Sequence, residues 1–187
     1  MRNKKYDPQE FYNLMYTDCK GYVEIRELPP IGNNQNWVRP NEVIELVSKL
    51  RPGNIYHGCA TRKKGGGNKE ACIEVPYLWI DIDFKDMSQR RAIRLLNEFK
   101  LKPTIIIRSG GGLHCYWKLR KPFLIKKTAD ILYVEGLLKR LTYFFNADMQ
   151  SAELARVLRV PGTLNYKYDP PKDVYISFIN GRTRSVR

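Results

Sequence analysis

Histidine is the scarcest residue in this 187-residue chain, which holds only His57 and His114. So few, so far apart, cannot form the His-hydrophobe-His metal strand that a DNA-nicking replication initiator needs beside its tyrosine nucleophile. Cysteine is also sparse: Cys19, Cys59, Cys72 and Cys115 form no Cys-x-x-Cys pair, which argues against a structural zinc site and a disulfide framework. A cluster of His57, Cys59, Cys72 and Cys115 around a metal would depend wholly on the fold, and buried thiols are the default expectation. No apolar run approaches about 18 residues, and no apolar segment follows the basic start. Neither a transmembrane helix nor a signal peptide is therefore expected, and the expected location is cytoplasmic. The glycine-lysine stretch KKGGGNK lacks the Gly-Lys-Ser/Thr ending of a Walker A loop. Acidic residues are outnumbered, 19 Asp and Glu against 33 Lys and Arg, for a net charge of +14. An excess of that size marks nucleic acid or nucleotides as partners.

What is present reads as alternating helices and strands without a repeat, an α/β or α+β sandwich. Asp7-Pro8 opens a helix through Phe11, Leu14 and Met15. Residues 21–28 alternate as a strand, and an Asn-rich loop over 32–36 leads to Trp37. A helix is expected over 41–50, ending at Pro52-Gly53, followed by one strand over 54–62. Further helices are expected over 88–100, with Ile93, Leu95, Leu96 and Phe99 inward, and over 126–145. Strands over 103–109 and 113–119 form a hairpin around Gly110, Gly111 and Gly112, and a last strand spans 173–179.

The chemistry concentrates in three places. In YLWIDIDF, residues 77–84, strand alternation sets Asp81 and Asp83 on one face with Tyr77 and Trp79, while Leu78, Ile80, Ile82 and Phe84 face a core. The two carboxylates then lie roughly 6.6 Å apart at Cα, near enough to hold one divalent cation or a close pair. Ser109 to His114 sets a hydroxyl, glycine amides including that of Gly111, and an imidazole around one turn, a cradle for phosphates. His114, Tyr116 and Lys118 share a polar face there. Downstream, Arg156 and Arg159 lie three apart in a helical pattern, with Thr163, Asn165 and Lys167 at alternate positions beyond Pro161-Gly162, a strong anion site. Lys63, Lys64 and Lys69 in the glycine loop suit a mobile basic flap against a phosphodiester backbone. A metal-dependent nuclease would use the same acids to activate water. A noncatalytic single-stranded nucleic-acid-binding module would explain the charge but not the adjacent acids.

In their order along residues 21–180, the Asp-x-Asp strand, the Ser-to-His turn and the ending ARVLRVPGTLNYK resemble the archaeo-eukaryotic primase superfamily. The likeness is to the primase-polymerase domains of phages, plasmids and CRISPR-associated proteins. The resemblance implies an α+β, two-lobed fold, with an N-terminal lobe over about 1–75 and a catalytic lobe over about 76–187 built on an RNA-recognition-motif-like sheet. It also implies a nucleotidyltransferase in which Asp81, Asp83 and a third acid hold Mg2+ or Mn2+. Asp148 is the preferred third acid and Glu153 its competitor. Ser109, Gly111, His114, Arg156, Arg159, Asn165 and Lys167 become nucleotide contacts. The implied partners are a single-stranded DNA template, a primer and nucleoside triphosphates. The basic ending TRSVR leaves room for a longer protein with a helicase or accessory domain.

Overall fold

The computed structural model describes residues 6–29 and 32–180; the basic start and the TRSVR ending lie outside them. Asp7 caps α1 (Pro8–Met15), its carboxylate accepting the Gln9 amide at 2.9 Å while Pro8 fills the first turn. Next comes the hairpin β1 (Val23–Leu28) and β2 (Gln35–Val38). The second arm includes residues expected in a loop: pairing with β1, which sets Trp37 opposite Glu24, makes this polar segment a strand. A 3-10 turn at Pro40–Glu42 precedes α2 (Val43–Lys49). The expected strand over 54–62 is two, β3 (Asn54–Gly58) and β4 (Thr61–Arg62), because the chain crosses from one sheet to the other at Cys59 and Ala60. The remaining elements are β5 (Cys72–Asp83), α3 (Gln89–Glu98), β6 (Ile105–Arg108), β7 (Gly112–Leu124), α4 (Thr128–Phe145), β8 (Val157–Arg159), β9 (Leu164–Asn165), β10 (Lys172–Asp173) and β11 (Tyr175–Ile179).

Two antiparallel sheets carry the fold, ordered β2-β1-β3-β8 and β11-β6-β7-β5-β4, with β9 and β10 as a separate pair. They interleave along the sequence, since β8 joins the first sheet from beyond residue 150 while β4 and the start of β5 already belong to the second. In the second sheet β5 is buried on both faces. Ile80 and Ile82 pack with Met87, Ala92, Leu96, Leu113, Cys115, Trp117 and Phe145. Tyr77 and Trp79, expected on an open face, are wholly buried instead, in a second core with α1 and with Val23, Ile25 and Ile55 of the first sheet. The indole N–H of Trp79 donates to the Ser151 carbonyl at 2.8 Å, which satisfies its one polar atom.

Two further expectations change. Ile93 is exposed; Ala92 and Leu96 form the buried stripe of α3, Leu95 and Phe99 packing at its margin. The expected polar face of β7 is largely internal. Tyr116 sits in the aromatic core against Phe11 and Tyr77, and Lys118 donates to the Met15 carbonyl at the end of α1, so only His114 of the three lines the cleft described below. Cys59, Cys72 and Cys115 are buried free thiols, and among the described residues no group of three or more His, Cys, Asp or Glu side chains stands ready to hold a metal. No described helix is long and apolar enough to cross a membrane.

A buried ion pair ties the two sheets together. Glu24 of β1 and Arg62 of β4 are both fully inaccessible and bonded to each other. The terminal nitrogens of Arg62 also donate to the carbonyls of Gly67, at 2.5 Å, and Ala155, at 2.7 Å. Arg26 adds a second contact to Glu24 at 2.6 Å. The supposed basic flap is thus anchored at its glycines, since Gly66 also accepts from the Trp37 indole at 3.0 Å. Removing one partner strands a buried charge, which costs about 3–5 kcal/mol. Glu24→Gln should therefore lower the free energy of urea unfolding by that amount. A loss under 1 kcal/mol would show that the pair holds nothing together.

Candidate active site

The second sheet brings the acids and the imidazole together by register. Asp81 of β5 pairs directly with His114 of β7, and Asp83 with Gly112, so two of the three sequence motifs meet across one strand pair. His114 Nε2 lies 3.6 Å from an Asp81 carboxylate oxygen. The Ser109–Gly112 turn closes on itself, with Ser109 N–H donating to the Gly112 carbonyl and Phe84 N–H to that of Gly111. Its glycines answer to packing. A Cβ on Gly112 would sit 1.9 Å from the Ile82 carbonyl, and one on Gly111 would sit 2.2 Å from the Tyr168 hydroxyl. Gly110 has φ +84, a conformation that side chains resist.

The first sheet supplies the opposite wall. Arg156 and Arg159 were expected on a helix, but residues 157–159 form β8, which pairs with β3 and sets Arg159 opposite Tyr56. The Arg159 guanidinium lies 4.7 Å from the Tyr56 ring centre and donates to the Asn54 side-chain oxygen at 2.8 Å. Asn54 and Tyr56 escaped notice in the sequence because their roles arise only from this pairing, about a hundred residues away. Asn165 clamps the glycine turn by donating to the Ser109 carbonyl at 2.7 Å, and its own oxygen accepts from the Lys167 N–H at 3.0 Å. Tyr168, also missed, lies under Lys172, whose ammonium is 3.8 Å from the ring centre.

Together these residues line an open cleft of about 160 Å³. Its lining includes Asp81, Asp83, Ser109, Gly111, His114, Arg156, Arg159, Asn165 and Lys167 from the expected set, with Tyr56 and Tyr168 added. Thr163 turns away and donates to the Val160 carbonyl. Lys63, Lys64 and Lys69 are not part of the lining. Asp148 stands beside the cleft: its N–H donates to the Asp81 carbonyl at 3.0 Å, and its carboxylate meets Arg156 at 3.3 Å. Glu153 is exposed, and its backbone carbonyl accepts from the Arg156 N–H. Of the two candidate third acids, Asp148 is the one gathered to Asp81.

The electrostatics are lopsided. Burial, opposed by Arg156 and reinforced by Asp148 and Asp83, pushes the Asp81 carboxyl up to about 6. Burial, with Arg159 and Arg156 nearby, pushes the His114 imidazole down to about 3, so it is neutral at physiological pH. Two cations stand among the acids: Arg156, its guanidinium 3.4 Å from Asp81 and 3.3 Å from Asp148, and the exposed Lys85, its ammonium 3.5 Å from Asp83. The donors are carboxylate oxygens, the kind a hard divalent cation takes: Asp81 and Asp148 meet at the Arg156 guanidinium and Asp83 lines the same cleft, though the described residues hold no ready-made group of three metal ligands.

A family model described as the RepB DNA-primase N-terminal domain matches residues 57–185. A replication protein of Clostridium perfringens is 27% identical over 179 residues, covering 89% of this chain and 42% of that protein. An uncharacterised protein of Methanocaldococcus jannaschii is 28% identical over 146 residues, 70% of this chain and 11% of that protein. The chain thus spans less than half the length of these curated relatives. Among solved structures it resembles the AEP domain of the cyanophage S-2L primase-polymerase, with a TM-score of 0.69 at 14% identity over 96% of this chain and 92% of that one. It also resembles primase RepB′, with a TM-score of 0.64 at 13% identity over 96% of this chain and 59% of that one. The catalytic domain of RepB′ in complex with initiator DNA gives a TM-score of 0.60 at 13% identity over 95% and 88%. At these identities the likeness establishes the fold, which is the α+β fold of archaeo-eukaryotic primases.

The raised Asp81 carboxyl has a consequence for stability. An acid whose folded pKa exceeds its unfolded value binds more protons in the native state between the two, here from 3.8 to about 6. Stability from this group therefore falls as pH rises through that window, and the deficit is complete above it. Asp81→Asn, which mimics the neutral acid, should stabilise the protein by on the order of 2 kcal/mol at pH 7.5. At pH 4 it should be nearly neutral. Urea denaturation at both pH values tests this; a gain equal at both, or a loss at pH 7.5, would contradict it.

Proposed function

Because the chain belongs to the RepB DNA-primase N-terminal domain family, we propose that it is a primase-polymerase catalytic unit that joins nucleotides on a single-stranded DNA template. The observation that carries this reading is the opposition of acids and anion-binding groups across one cleft: Asp81 and Asp83 on β5, Arg159 and Lys167 on the facing wall. A binding module needs the basic wall alone, and a nuclease needs no second anion site of that depth. Both together suit a reaction in which a triphosphate lies between its leaving group's cradle and the acids at its α-phosphate.

Asp81, Asp83 and Asp148 are the residues that would hold Mg2+ or Mn2+. Such ions supply activation of the attacking 3′-hydroxyl and neutralisation of phosphate charge. Arg159, locked by Asn54 and Tyr56, offers a rigid fork to the β- and γ-phosphates, and Lys167 adds a second positive charge. The Ser109 hydroxyl and the neutral His114 contribute hydrogen bonds without charge. His114 is a positioning donor and not a base, in keeping with phosphoryl transfer as a matter of alignment and electrostatics. Attack of the 3′-hydroxyl forms the new phosphodiester bond as the bond to pyrophosphate breaks, and the pyrophosphate charge develops against Arg159 and Lys167. The +14 surface, with Lys63, Lys64 and Lys69, would hold the template and primer backbone. The kinship in fold with a primase solved on initiator DNA supports that partner. A helicase or accessory protein would present the template.

Incubating protein, single-stranded template, labelled nucleoside triphosphates and Mn2+, with and without primer, should give template-length-dependent products. Asp81→Asn with Asp83→Asn should lower the yield at least about 10³-fold while DNA retention changes less than twofold, since loss of charge neutralisation at the reacting phosphate costs about 4 kcal/mol or more. Template degradation without triphosphates would favour the nuclease. DNA retention with no chemistry would favour the binding module.

A further inference from the structure

Three arginines in and behind the cleft wall are held very differently. Arg62 is fully buried, with carbonyl partners at 2.5 and 2.7 Å in addition to Glu24. Arg159 donates at 2.8 Å to Asn54 and rests on Tyr56. Arg156 has neither kind of anchor. A single terminal nitrogen is divided between Asp81 at 3.4 Å and Asp148 at 3.3 Å, longer than the roughly 2.7–2.9 Å of a settled charge-assisted bond. Its Nε is buried without a partner, as is that of Arg62, so the difference lies in the terminal nitrogens. The backbone beneath it is fixed, since Arg156 N–H donates to Glu153 and its carbonyl accepts from Cys59 N–H, both at 3.0 Å. The guanidinium, about a quarter exposed, is therefore a loosely held charge on a rigid mount.

We infer that Arg156 is an exchangeable counter-ion: it bridges Asp81 and Asp148 in the nucleotide-free protein and is displaced from them when a divalent cation enters. The inference rests on the reading of Asp81 and Asp148 as cation ligands. The acids cannot be left bare, because two carboxylates close enough to share one guanidinium nitrogen repel each other without a cation between them. Nor can the Asp148 oxygen that faces Arg156 serve a metal while the guanidinium occupies it, the other oxygen being committed to the Gln150 N–H at 2.9 Å. Two cations competing for the same carboxylates are linked reciprocally, so whatever Arg156 contributes to the empty site is subtracted from the affinity of the incoming ion. Once displaced, the guanidinium remains inside the cleft, where a triphosphate is the next available anion.

The test is Mn2+ binding to the nucleotide-free, DNA-free protein, followed by calorimetry and by the electron paramagnetic resonance signal of free Mn2+. Arg156→Gln should bind Mn2+ roughly tenfold more tightly than wild type, within the usual range of coupling between sites. Its melting temperature without metal should be lower, with a larger rise on adding Mn2+. Arg156→Lys, which keeps one charge but cannot span two carboxylates as well, should fall between. Asp148→Asn should weaken Mn2+ binding in either background. Unchanged or weaker Mn2+ affinity in both Arg156 variants would overturn the inference, as would a metal-free melting temperature that is not lowered by Arg156→Gln. No template or triphosphate is present, so a failure of the polymerase reading would appear in the incorporation assay and leave this result to stand or fall separately. Should Arg156→Gln not fold, Arg156→Lys alone carries the comparison.

Discussion

A carboxylate buried at the end of a central strand must be neutralised, and the architecture around Asp81 follows from that requirement. β5 carries Asp81 and Asp83 out of a doubly covered sheet to the point where its hydrogen-bonded neighbour on one side is β7 and on the other the backbone of Asp148. The guanidinium beside Asp81 comes from the other sheet's side of the cleft, while Lys85, just past the end of β5, pairs with Asp83 at 3.5 Å. β8 carries Arg159 and begins one residue after Arg156, and its three residues pair with β3. The cleft is the seam between an acid-bearing sheet and an arginine-bearing one.

Two devices hold that seam. The Glu24 and Arg62 pair joins β1 to β4, and through the Ala155 carbonyl it fixes the chain one residue before Arg156. The aromatic core of Phe11, Tyr16, Tyr77 and Tyr116 fills the space behind His114, so the imidazole has nowhere to go but toward the acids. Desolvation keeps that imidazole neutral. Positive charge in the cleft thus comes from arginine and lysine and not from histidine.

The sequence was most informative where a local period coincides with a chemical oddity. Alternation in residues 77–84 put Asp81 and Asp83 on one face without any knowledge of the partner strand, and the second arm of the hairpin carried His114 to its place. It was least informative where long-range pairing decides. Three residues are too few to display a strand period, so Arg156 to Arg159 read as helical by spacing. A run buried on both faces has no polar side to mark, which hid the burial of Tyr77 and Trp79 and the break at Cys59 and Ala60. Asn54, Tyr56 and Tyr168 carry no motif of their own; only the approach of β8 and the glycine turn gives them a task. The glycines of that turn are needed at least as much for Tyr168 and the Ile82 carbonyl as for any phosphate.

The proposed function requires one cleft to seat a triphosphate between the acids of β5 and the arginines at β8 and just before it. The most direct measurement is a crystal structure of the protein soaked with Mn2+ and a non-hydrolysable nucleoside triphosphate. The account predicts anomalous scattering from manganese on the Asp81 and Asp83 carboxylates, with the β- and γ-phosphates against Arg159 and Lys167 and the α-phosphate near His114. Manganese elsewhere, or a triphosphate seated away from Arg159 and the Ser109–Gly112 turn, would contradict it.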